Sequence, residues 1–455
     1  MCDIRQKMYK LYFLYIGCIK NCTLDVQKIR FLCILIFMSA YFPRPIADSI
    51  LQSKRKVVIL EGARAVGKTM MSKRQLVSKG FSYVSLADEN TFALASTDLY
   101  GWLKNLSTPV VIDEAQRLPN LPLAIKEIVD NSTENSLQYV LTGSALINRN
   151  GLDGQDPLAR RAQHFTMSPL TQCEITQNSR NIVDSLIESN PNLKYEKEIS
   201  REEVYKIMAA GGFPEYQQSY DSYEAWEREK LVSNDILAVL GDTILPGERL
   251  DRSMAVSILN KLLCMPGGIL NTSSIGQDLA LDRRTIERYV SVFLRRFLIN
   301  YLPNIKTAPN RQTFTRAKIH PVDTSLSIQT MISKGHNPLE DPVMYGNLLE
   351  SFVVNQIMPA VQWSKTHPDC FYWREPGSSP KEVDLVLSFR GNLVGVEVKS
   401  SSMVNRNDFK GLVALSQKPE FKRGYVVYMG QKIMQWEDNL WAIPLSALWE
   451  CNAFE

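Results

Sequence analysis

The stretch EGARAVGKTM, at residues 61–70, limits the possible folds of this chain more than any other feature of its sequence. A short apolar run at residues 56–60 precedes it and is typical of a buried parallel strand. Gly62, Gly67, Lys68 and Thr69 fit the G-x-x-x-x-G-K-[ST] spacing, and residues 70–79 are compatible with a helix. A strand, a glycine loop and a helix in this order surround an anion with backbone N–H groups and a helix N-terminus. We therefore predict a phosphate-binding loop rather than a chance glycine turn.

The residues of this loop have separate expected roles toward ATP and Mg²⁺. The ammonium group of Lys68 is expected to reach the β- and γ-phosphates, and the hydroxyl of Thr69 is expected to ligate the metal. The predicted nucleotide contacts are Gly62, Ala63, Arg64, Ala65, Val66, Gly67, Lys68, Thr69 and Met70.

Two later apolar runs end in polar residues that suit the same site. Residues 109–112 lead into Asp113 and Glu114, which we assign to the metal's water shell and to the base that polarises the attacking water. Residues 138–141 lead into Thr142 and Ser144, hydroxyls placed where they would sense a γ-phosphate. In a doubly wound sheet, ligands bind outside the carboxyl ends of the strands. All three motifs fall at such ends, so the sequence predicts a nucleotide-binding parallel sheet.

Taken in order, these motifs resemble a known family. The matching stretches are YFPRPIADSI, EGARAVGKT, VVIDEAQRLPNL, YVLTGSAL, GGFPE, LNTSSIGQDLALDRRTIERYV and EVDLVLSFRGNLVGVEVKSSS, which together cover about residue 41 to the C-terminus. The chain resembles prokaryotic AAA+-type P-loop ATPases with a C-terminal domain of unknown function related to PD-(D/E)xK nucleases. The resemblance implies an α/β P-loop sheet (AAA+/ASCE) with helices on both faces, a helical lid, a winged helix-turn-helix and a restriction-endonuclease-like α/β domain. It also favours a homo-oligomer and a cytoplasmic location.

The length of 455 residues suits several domains, whose boundaries we place where the pattern changes. The expected segments are an N-terminal extension at 1–38, the ATPase core at 39–170, the lid at 171–240, the winged helix-turn-helix at 241–320 and the nuclease-like domain at 321–455. The net charge of +4 excludes a globally basic protein, because residues 1–60 contain ten Lys and Arg against three acidic residues. Any nucleic-acid-binding surface is therefore expected to be local.

The first forty residues have an unusual composition. They hold Cys2, Cys18, Cys22 and Cys33, half of the eight cysteines, and an apolar run at 31–42 that is too short for an ordinary membrane span. We expect residues 1–37 to be an over-extended start or a dispensable tail, and a membrane-associated segment is the alternative; stable membrane insertion is not expected. The other four cysteines lack metal-ligand spacing, so we expect reduced thiols and no zinc.

An arginine pair precedes the expected last strand of the ATPase core. By resemblance, Arg161 is the better candidate of Arg160 and Arg161 for an arginine finger that acts on a neighbouring subunit. A solvated pair of surface arginines is the competing interpretation. The later GGFPE signature, at residues 211–215, predicts only a turn on physical grounds.

A helix-turn-helix pattern lies at residues 270–302. Apolar residues recur at helical spacing on both sides of Asp282, a good N-cap for the second helix, which opens with Arg283, Arg284 and Thr285. Residues 283–318 contain nine basic residues and one acidic residue, Glu287, a charge that suits the binding of DNA phosphates. A packing role with a wet basic face remains the alternative.

The C-terminal region has the spacing D-x(12)-E-V-K. Asp384, Glu397 and Lys399 fall on two strands that a turn at 390–392 joins, and Glu397 and Lys399 share one face. Two carboxylates at one edge can hold Mg²⁺ while a lysine, which is not itself a ligand, positions or deprotonates water. The stretch resembles the PD-(D/E)xK nuclease core, whose additional helical acid would be Glu350. The set is expected either to cleave nucleic acid or to act as a binding module.

These observations favour an ATP-hydrolysing enzyme in which Lys68, Thr69, Asp113, Glu114 and Ser144 act on the nucleotide and the basic segment contacts DNA. A nucleotide-gated scaffold with a non-catalytic C-terminal domain is one alternative. An ATP-regulated, metal-dependent DNA nuclease is the other.

Overall fold

The computed structural model describes residues 41–144, 147, 156–241, 251–305, 317–375 and 380–455. The expectations for residues 1–38, including the four cysteines there, lie outside the described residues. The four cysteines within them, Cys173, Cys264, Cys370 and Cys451, are free thiols. Contacts do not divide residues 42–455 into separate units, so packing between the segments below is part of one body.

A five-stranded parallel sheet begins the fold. Its strands are β1 (Val57–Glu61), β2 (Ser82–Ser85), β3 (Val110–Asp113), β4 (Tyr139–Gly143) and β5 (Ala162–Thr166), in the spatial order β2-β3-β4-β1-β5. The accompanying helices are α1 (Ile46–Leu51), α2 (Lys68–Met71), α3 (Glu89–Thr97), α4 (Leu99–Lys104) and α5 (Leu121–Asn131). Beyond α2 the chain stays helical to Lys79, first as a π-helical turn (Ser72–Leu76) and then as a 3-10 turn (Val77–Lys79). Since all five strands are parallel, their carboxyl ends meet at one edge.

The sheet is covered on both faces, as the sequence predicts. The central strands β1, β3 and β4 are buried at every residue, which explains their continuous apolar runs. Alternate residues of β1 enter different cores: Val57 and Ile59 pack with α3, α4 and α5, whereas Val58 and Leu60 pack with α1 and later helices. The α/β prediction with helices on both faces is confirmed.

Five helices follow the sheet: α6 (Gln172–Ile175), α7 (Ile182–Glu188), α8 (Arg201–Ala210), α9 (Pro214–Ser219) and α10 (Ala225–Gly241). Capping boxes at Thr171 and Ser200 begin α6 and α8. The segment predicted as one lid is divided between two cores, because α7 and α8 pack into the C-terminal core whereas α10 packs with the parallel sheet.

Three helices and a small antiparallel sheet form the next segment. The helices are α11 (Arg252–Leu263), α12 (Thr272–Leu279) and α13 (Arg283–Arg295). The sheet, called the small sheet below, consists of β6 (Gly268–Ile269), β7 (Ile299–Leu302) and β8 (Lys318–Pro321) in the order β6-β8-β7. Asp282 caps α13 by accepting a hydrogen bond from the Thr285 N–H at 3.0 Å, as the sequence predicts. The winged-helix assignment of this segment stays a prediction.

The C-terminal segment is built on a six-stranded mixed sheet. Helices α14 (Thr324–Ser333) and α15 (Pro342–Ile357) precede the sheet in the chain, and α16 (Lys410–Leu415) falls between its third and fourth strands. Its strands are β9 (Asp369–Arg374), β10 (Glu382–Phe389), β11 (Asn392–Lys399), β12 (Phe421–Tyr428), β13 (Met434–Glu437) and β14 (Leu440–Pro444), in the order β13-β14-β12-β11-β10-β9. Strands β9, β10 and β11 are antiparallel, whereas β11, β12 and β14 are parallel.

The two strands of the predicted D-x(12)-E-V-K motif, β10 and β11, form an antiparallel pair, in which β10 lies next to the edge strand β9. Their residues face two cores: Leu385 and Val396 pack with α15, whereas Val383 and Val386, between which the register shifts, pack with α16. Among the described residues, no helix has both the length and the apolar content that a membrane crossing requires.

Candidate functional site

The loop after β1 requires glycine at two positions. Gly67 has a φ of 96°, a left-handed conformation that side chains rarely adopt. A Cβ atom on Gly62 would lie 2.1 Å from the carbonyl oxygen of Met167, so the backbone approaches too closely for a side chain there. The glycine spacing therefore follows from the shape of the loop. Of the other predicted contacts, Arg64, Ala65 and Met70 are exposed, and Ala63 and Val66 are buried.

Lys68 lies inside this loop. Its Nζ atom donates hydrogen bonds to the carbonyl oxygens of Gly62 and Ala63, both at 2.8 Å, and the residue is buried. Burial lowers the pKa of Lys68 to about 8, although Glu114 and Asp113 oppose the shift. Within the part of the chain that the structure describes, the ammonium group has these two neutral carbonyl oxygens as its direct partners, and an anion in the loop would be a stronger partner.

Asp113 and Thr69 meet at the carboxyl edge, as predicted. The hydroxyl of Thr69 donates to Asp113 Oδ2 at 2.7 Å, and the hydroxyl of Tyr83 donates to the same oxygen at 2.7 Å. Thr142 donates a short hydrogen bond to Asp113 Oδ1. Burial and the bond to Asp113 raise the pKa of Tyr83, which keeps its proton in this contact. Tyr83 was not identified from the sequence, because nothing in the residues around it indicates that its hydroxyl contacts Asp113.

Glu114 turns away from the end of β3 in a left-handed conformation, with a φ of 57°. This turn separates its side chain from that of Asp113, which lies within the strand. Gln116 donates a short hydrogen bond to Glu114 Oε2 and a second, at 3.3 Å, to Ser144 Oγ. The predicted base and the predicted sensor are therefore linked through Gln116, a residue that sequence reasoning missed. Since Thr142 is engaged with Asp113, Ser144 is the better candidate for the sensor.

The oxygen atoms at this edge fit a hard divalent cation. Thr69 and Asp113 present a hydroxyl and a carboxylate within 2.7 Å of each other, the donor types that Mg²⁺ prefers. These two side chains would hold the metal beside the loop.

Arg44 supports the loop from behind and was also missed. It is buried, donates from Nη1 to the Val66 carbonyl at 3.0 Å and from Nη2 to the Ser168 carbonyl at 2.6 Å, and pairs with Glu174 at 2.7 Å. A single arginine thus fixes the loop against α6. Arg44 lies in the stretch YFPRPIADSI, so this stretch helps to hold the loop in place.

Arg161 is not brought to the site of its own chain. Strand β5 runs parallel to β1 with Ala162 opposite Val57, so Arg161 lies at the amino edge of the sheet, opposite the loop. Its guanidinium binds both carboxylate oxygens of Asp130, at 2.6 and 2.8 Å. The role of an arginine finger toward a second subunit stays a prediction.

The GGFPE signature lies between the loop and the C-terminal half of the chain. The N–H of Gly212 donates to Asp323 Oδ2 at 2.6 Å, and the carbonyl of Gly212 accepts from the Leu170 N–H at 2.7 Å. Pro214 Cγ lies 3.8 Å from the point where a Cβ on Gly67 would be. The GGFPE segment therefore contacts both the glycine loop after β1 and the residues that follow β8.

The C-terminal acidic residues meet, but around a lysine. Lys318 Nζ, on β8, lies 2.8 Å from Glu350 Oε1, 2.6 Å from Glu382 Oε1 and 2.9 Å from Asp384 Oδ1. Beside them, Lys399 Nζ binds Glu397 Oε1 at 2.6 Å. We call these four carboxylates the acidic cluster. Within the described part of the chain, no group of three or more His, Cys, Asp or Glu side chains is arranged to hold a metal ion.

The electrostatics of the acidic cluster reflect its burial. Burial and the charge of Asp384 raise the pKa of both Glu350 and Glu397 to about 8, against the pull of the nearby lysines. Burial alone would lower the pKa of Lys318, but Asp384, Glu350 and Glu382 outweigh it and raise that pKa well above its usual value. Lys318 is therefore a fixed cation, and the acidic cluster remains short of positive charge.

The predicted DNA-binding segment, residues 283–318, is only partly a surface. Arg283, Arg284 and Arg288 are exposed on α13, and Arg283 pairs with Glu287 at 2.7 Å. Arg296 is buried and donates to a backbone carbonyl, and Lys318 is buried in the acidic cluster, so counting these two toward a phosphate-binding face was wrong. The part of the prediction that concerns residues 306–316 lies outside the described residues.

Comparison with known proteins supports the coarse assignment of the first segment. Residues 54–176 match the model of an AAA domain, residues 201–334 match a domain of unknown function (DUF8612), and residues 345–448 match another domain of unknown function (DUF4143). The first match, together with the loop and the parallel sheet, supports a P-loop ATPase domain of the AAA type. The nuclease-like interpretation of the C-terminal segment receives no such support.

Two relatives from mycobacteria match most of this chain. The uncharacterized proteins Mb2031c of Mycobacterium bovis and Rv2008c of Mycobacterium tuberculosis are each 24% identical over 396 residues, which is 85% of this chain and 80% of the relative. Among solved structures, a Walker-type ATPase of Pyrococcus abyssi matches 64% of this chain and 96% of its own, with a TM-score of 0.39 and 14% identity. The RuvB branch migration motor of Thermotoga maritima matches 56% and 85%, with a TM-score of 0.25 and 16% identity.

Proposed function

We propose that this protein binds ATP with Mg²⁺ and hydrolyses it, and that the nucleotide state acts on the basic helix α13 and the C-terminal segment. The observation that carries the proposal is the contact of Thr69 with Asp113 at the carboxyl edge, beside a buried Lys68 inside a glycine-shaped loop. The match of residues 54–176 to an AAA domain supports the same function.

Each residue of the edge has a distinct part in the proposed reaction. Bound Mg²⁺ supplies charge neutralisation for the phosphates. Lys68 would exchange its carbonyl partners for the terminal phosphates and withdraw negative charge from them. Glu114 would accept a proton from the attacking water, with Gln116 orienting its carboxylate. Ser144, on the same Gln116, would report the presence of the γ-phosphate to this network.

DNA is the proposed partner of α13. Arg283, Arg284 and Arg288 face outward from a helix whose opposite side is buried through Ile286, Tyr289, Val290 and Phe293. An exposed arginine stripe on an anchored helix is suited to phosphate contacts. Arg161 would act on the nucleotide of a neighbouring subunit in a homo-oligomer, which requires release of its contact with Asp130.

A specific observation favours the scaffold alternative for the C-terminal segment over a nuclease. Cleavage would need a divalent cation at Glu350, Asp384 and Glu397, with Lys399 beside the hydrolytic water. Lys318 holds two of these carboxylates, and Lys399 is paired with the third. We therefore propose a non-catalytic binding role for this segment while Lys318 is in place.

Steady-state ATP hydrolysis, measured with and without duplex DNA, tests the proposal. Glu114→Gln is expected to lower kcat by about 10²–10⁴-fold, because it removes a general base and leaves the nucleotide contacts intact. Glu89→Gln, an exposed acid on α3, is the matched control and should leave kcat unchanged. Equal turnover by wild type and Glu114→Gln would refute the assignment of the base. Stimulation of the wild type by DNA would support coupling to α13.

A further inference from the structure

We infer that the ammonium group of Lys318 occupies the place of a divalent cation in the acidic cluster. Docking of the small sheet and binding of Mg²⁺ or Mn²⁺ by the carboxylates of the acidic cluster then exclude each other. This inference concerns a site separate from the nucleotide loop and does not depend on ATP turnover.

The first argument is the convergence of oxygen atoms. Carboxylates from helix α15 and strand β10 direct oxygens at a single atom, Lys318 Nζ, at 2.6 to 2.9 Å. The three come from separate positions along the chain and are held by the fold. An all-oxygen set with several carboxylates is the ligand set of hard divalent cations. The lysine therefore occupies a point at which such a cation would be stabilised.

The second argument is a carboxylate oxygen without a partner. Glu397 is only 9% exposed; its Oε1 binds Lys399, but its Oε2 is buried with no hydrogen-bond partner among the described residues. Leu385 pairs with Val396, so the adjacent Asp384 lies opposite Glu397 on the same face of the sheet. The free oxygen is thus beside the carboxylate that binds Lys318. A buried carboxyl oxygen in this position lacks one partner, which a cation could supply.

The third argument is the origin of Lys318. It lies on β8 of the small sheet, whereas all four carboxylates belong to the C-terminal segment. Gly267, which has a φ of 73° and precedes β6, also covers the cluster: a Cβ there would lie 3.1 Å from Glu350 Oε1. The Gly267 N–H donates to the Ile319 carbonyl at 2.9 Å, so both contacts come from β8 and the residue that precedes its partner strand β6. Moving these paired strands away would remove the ammonium group and uncover Glu350 together.

The charges favour the exchange. The acidic cluster contains Glu350, Glu382, Asp384 and Glu397, against Lys318, Lys399 and an Arg374 that contacts Glu382 at 3.2 Å on the outside. Four carboxyl groups thus face three basic groups, one of them peripheral. A divalent cation in place of the ammonium would bring the number of positive charges up to the number of carboxyl groups, so the site is suited to take up the metal once Lys318 leaves.

Binding of Mn²⁺ to the nucleotide-free, full-length protein tests the inference. Electron paramagnetic resonance of free Mn²⁺ counts the bound ions in wild type and in Lys318→Met, which keeps the length of the side chain without its charge. Lys318→Met is expected to bind about one Mn²⁺ more per chain than wild type, because its carboxylates lose their cation. Lys318→Met/Asp384→Asn should lose the additional ion. Lys261→Met, which removes a partly exposed lysine paired with Asp278, is the matched control and should bind as wild type does.

Three outcomes would overturn the inference: a folded Lys318→Met that binds no additional Mn²⁺, an additional ion that Asp384→Asn leaves in place, or a wild type that binds the additional ion while β8 stays as protected as in the metal-free protein. If Lys318→Met does not fold, Lys318→Met/Glu382→Gln removes one carboxylate together with the ammonium and undergoes the same titration. Hydrogen exchange of the wild type in millimolar Mn²⁺ gives a measurement that needs no variant. Faster exchange across β8 supports the exclusion, and unchanged exchange with Mn²⁺ bound at the cluster contradicts it.

Discussion

Two buried lysines of this chain meet opposite surroundings. Lys68 binds the neutral carbonyl oxygens of its own loop, and burial lowers its pKa to about 8. Lys318 binds three carboxylates from another part of the fold, and its pKa is raised well above the usual value. The ammonium group of Lys68 is therefore available to an anion, whereas that of Lys318 is already paired with anions. A buried lysine indicates an anion-binding site only when its own partners are weak.

Substitution of Lys318 in the acidic cluster should have the largest effect on stability. Lys318→Met is expected to lower the free energy of unfolding by about 3–5 kcal/mol at pH 8, because it leaves buried carboxylates without their cation. Chemical unfolding monitored by tryptophan fluorescence measures the loss, with Lys261→Met as control. A loss below about 1 kcal/mol, the range of surface pairs, would mean that Lys318 is not a buried counter-ion.

The pH dependence gives the sign of that effect. The pKa of Glu350 and of Glu397 is raised to about 8 in the folded protein, so the folded state binds more protons than the unfolded state between about pH 4.5 and 8. Stability from these two groups therefore falls as the pH rises through this window. Lys318 moderates the fall, so the deficit of Lys318→Met should shrink from pH 8 to pH 5.5. A deficit that grows toward low pH would contradict this account.

The contact of the GGFPE segment with Asp323 should show the next largest effect on stability. A Cβ on Gly211 would lie 2.2 Å from Asp323 Oδ1, and Gly211 has a φ of 67°. Gly211→Ala is expected to cost about 1–3 kcal/mol of backbone strain and a further loss from displacing Asp323. Gly335→Ala is the matched control, since Gly335 has a φ of 80° and nothing within 4 Å of the added atom. Equal thermal midpoints for the two variants would show that the close approach of Asp323 to Gly211 adds nothing to the cost of the substitution.

Lys68 should show a smaller, directly chemical effect. Since its pKa of about 8 is expected to rise when phosphates bind, ATP binding at pH 8.5 should take up a fraction of one proton, at most about one. At pH 6.5 the lysine is already protonated and the uptake should vanish. Calorimetry in two buffers with different ionisation enthalpies measures the protons. Uptake that persists in Lys68→Ala would assign the shift to another group.

The basic helix should show the smallest effect. Arg284→Ala is expected to weaken DNA binding and to reduce the slope of the logarithm of affinity against the logarithm of salt concentration by about 1. Fluorescence anisotropy at several salt concentrations measures the slope, with the exposed Lys79→Ala as control. An unchanged slope would favour the packing role of α13.

The sequence predicted the parallel sheet well, because glycine spacing and buried apolar runs act locally. The three predicted runs at 56–60, 109–112 and 138–141 correspond to β1, β3 and β4 within about two residues, and the polar residues that follow them meet at one edge. The helical character of residues 171–240 could also be predicted from the sequence. The division of these helices between two cores could not be predicted, because it depends on which distant surface the apolar face of each helix contacts.

The acidic cluster shows where local reasoning fails. Lys318 lies 32 residues from Glu350 and 66 from Asp384, and its place in a basic run gives no sign that it is buried. Arg44, Tyr83 and Gln116 were missed for the same reason, since each acts through a partner far along the chain or around a turn. The one available signal in the sequence was the pair of apolar residues on either side of Lys318, Ala317 and Ile319, which are both buried.

Titration calorimetry of ATP with Mg²⁺ into wild type and Lys68→Ala tests the central claim most directly. We predict one nucleotide per chain in the wild type, and affinity about 10- to 100-fold weaker in the variant, which loses a charge-assisted contact. Folded wild-type protein that binds neither ATP nor GTP, or a variant that binds as tightly as wild type, would contradict the account.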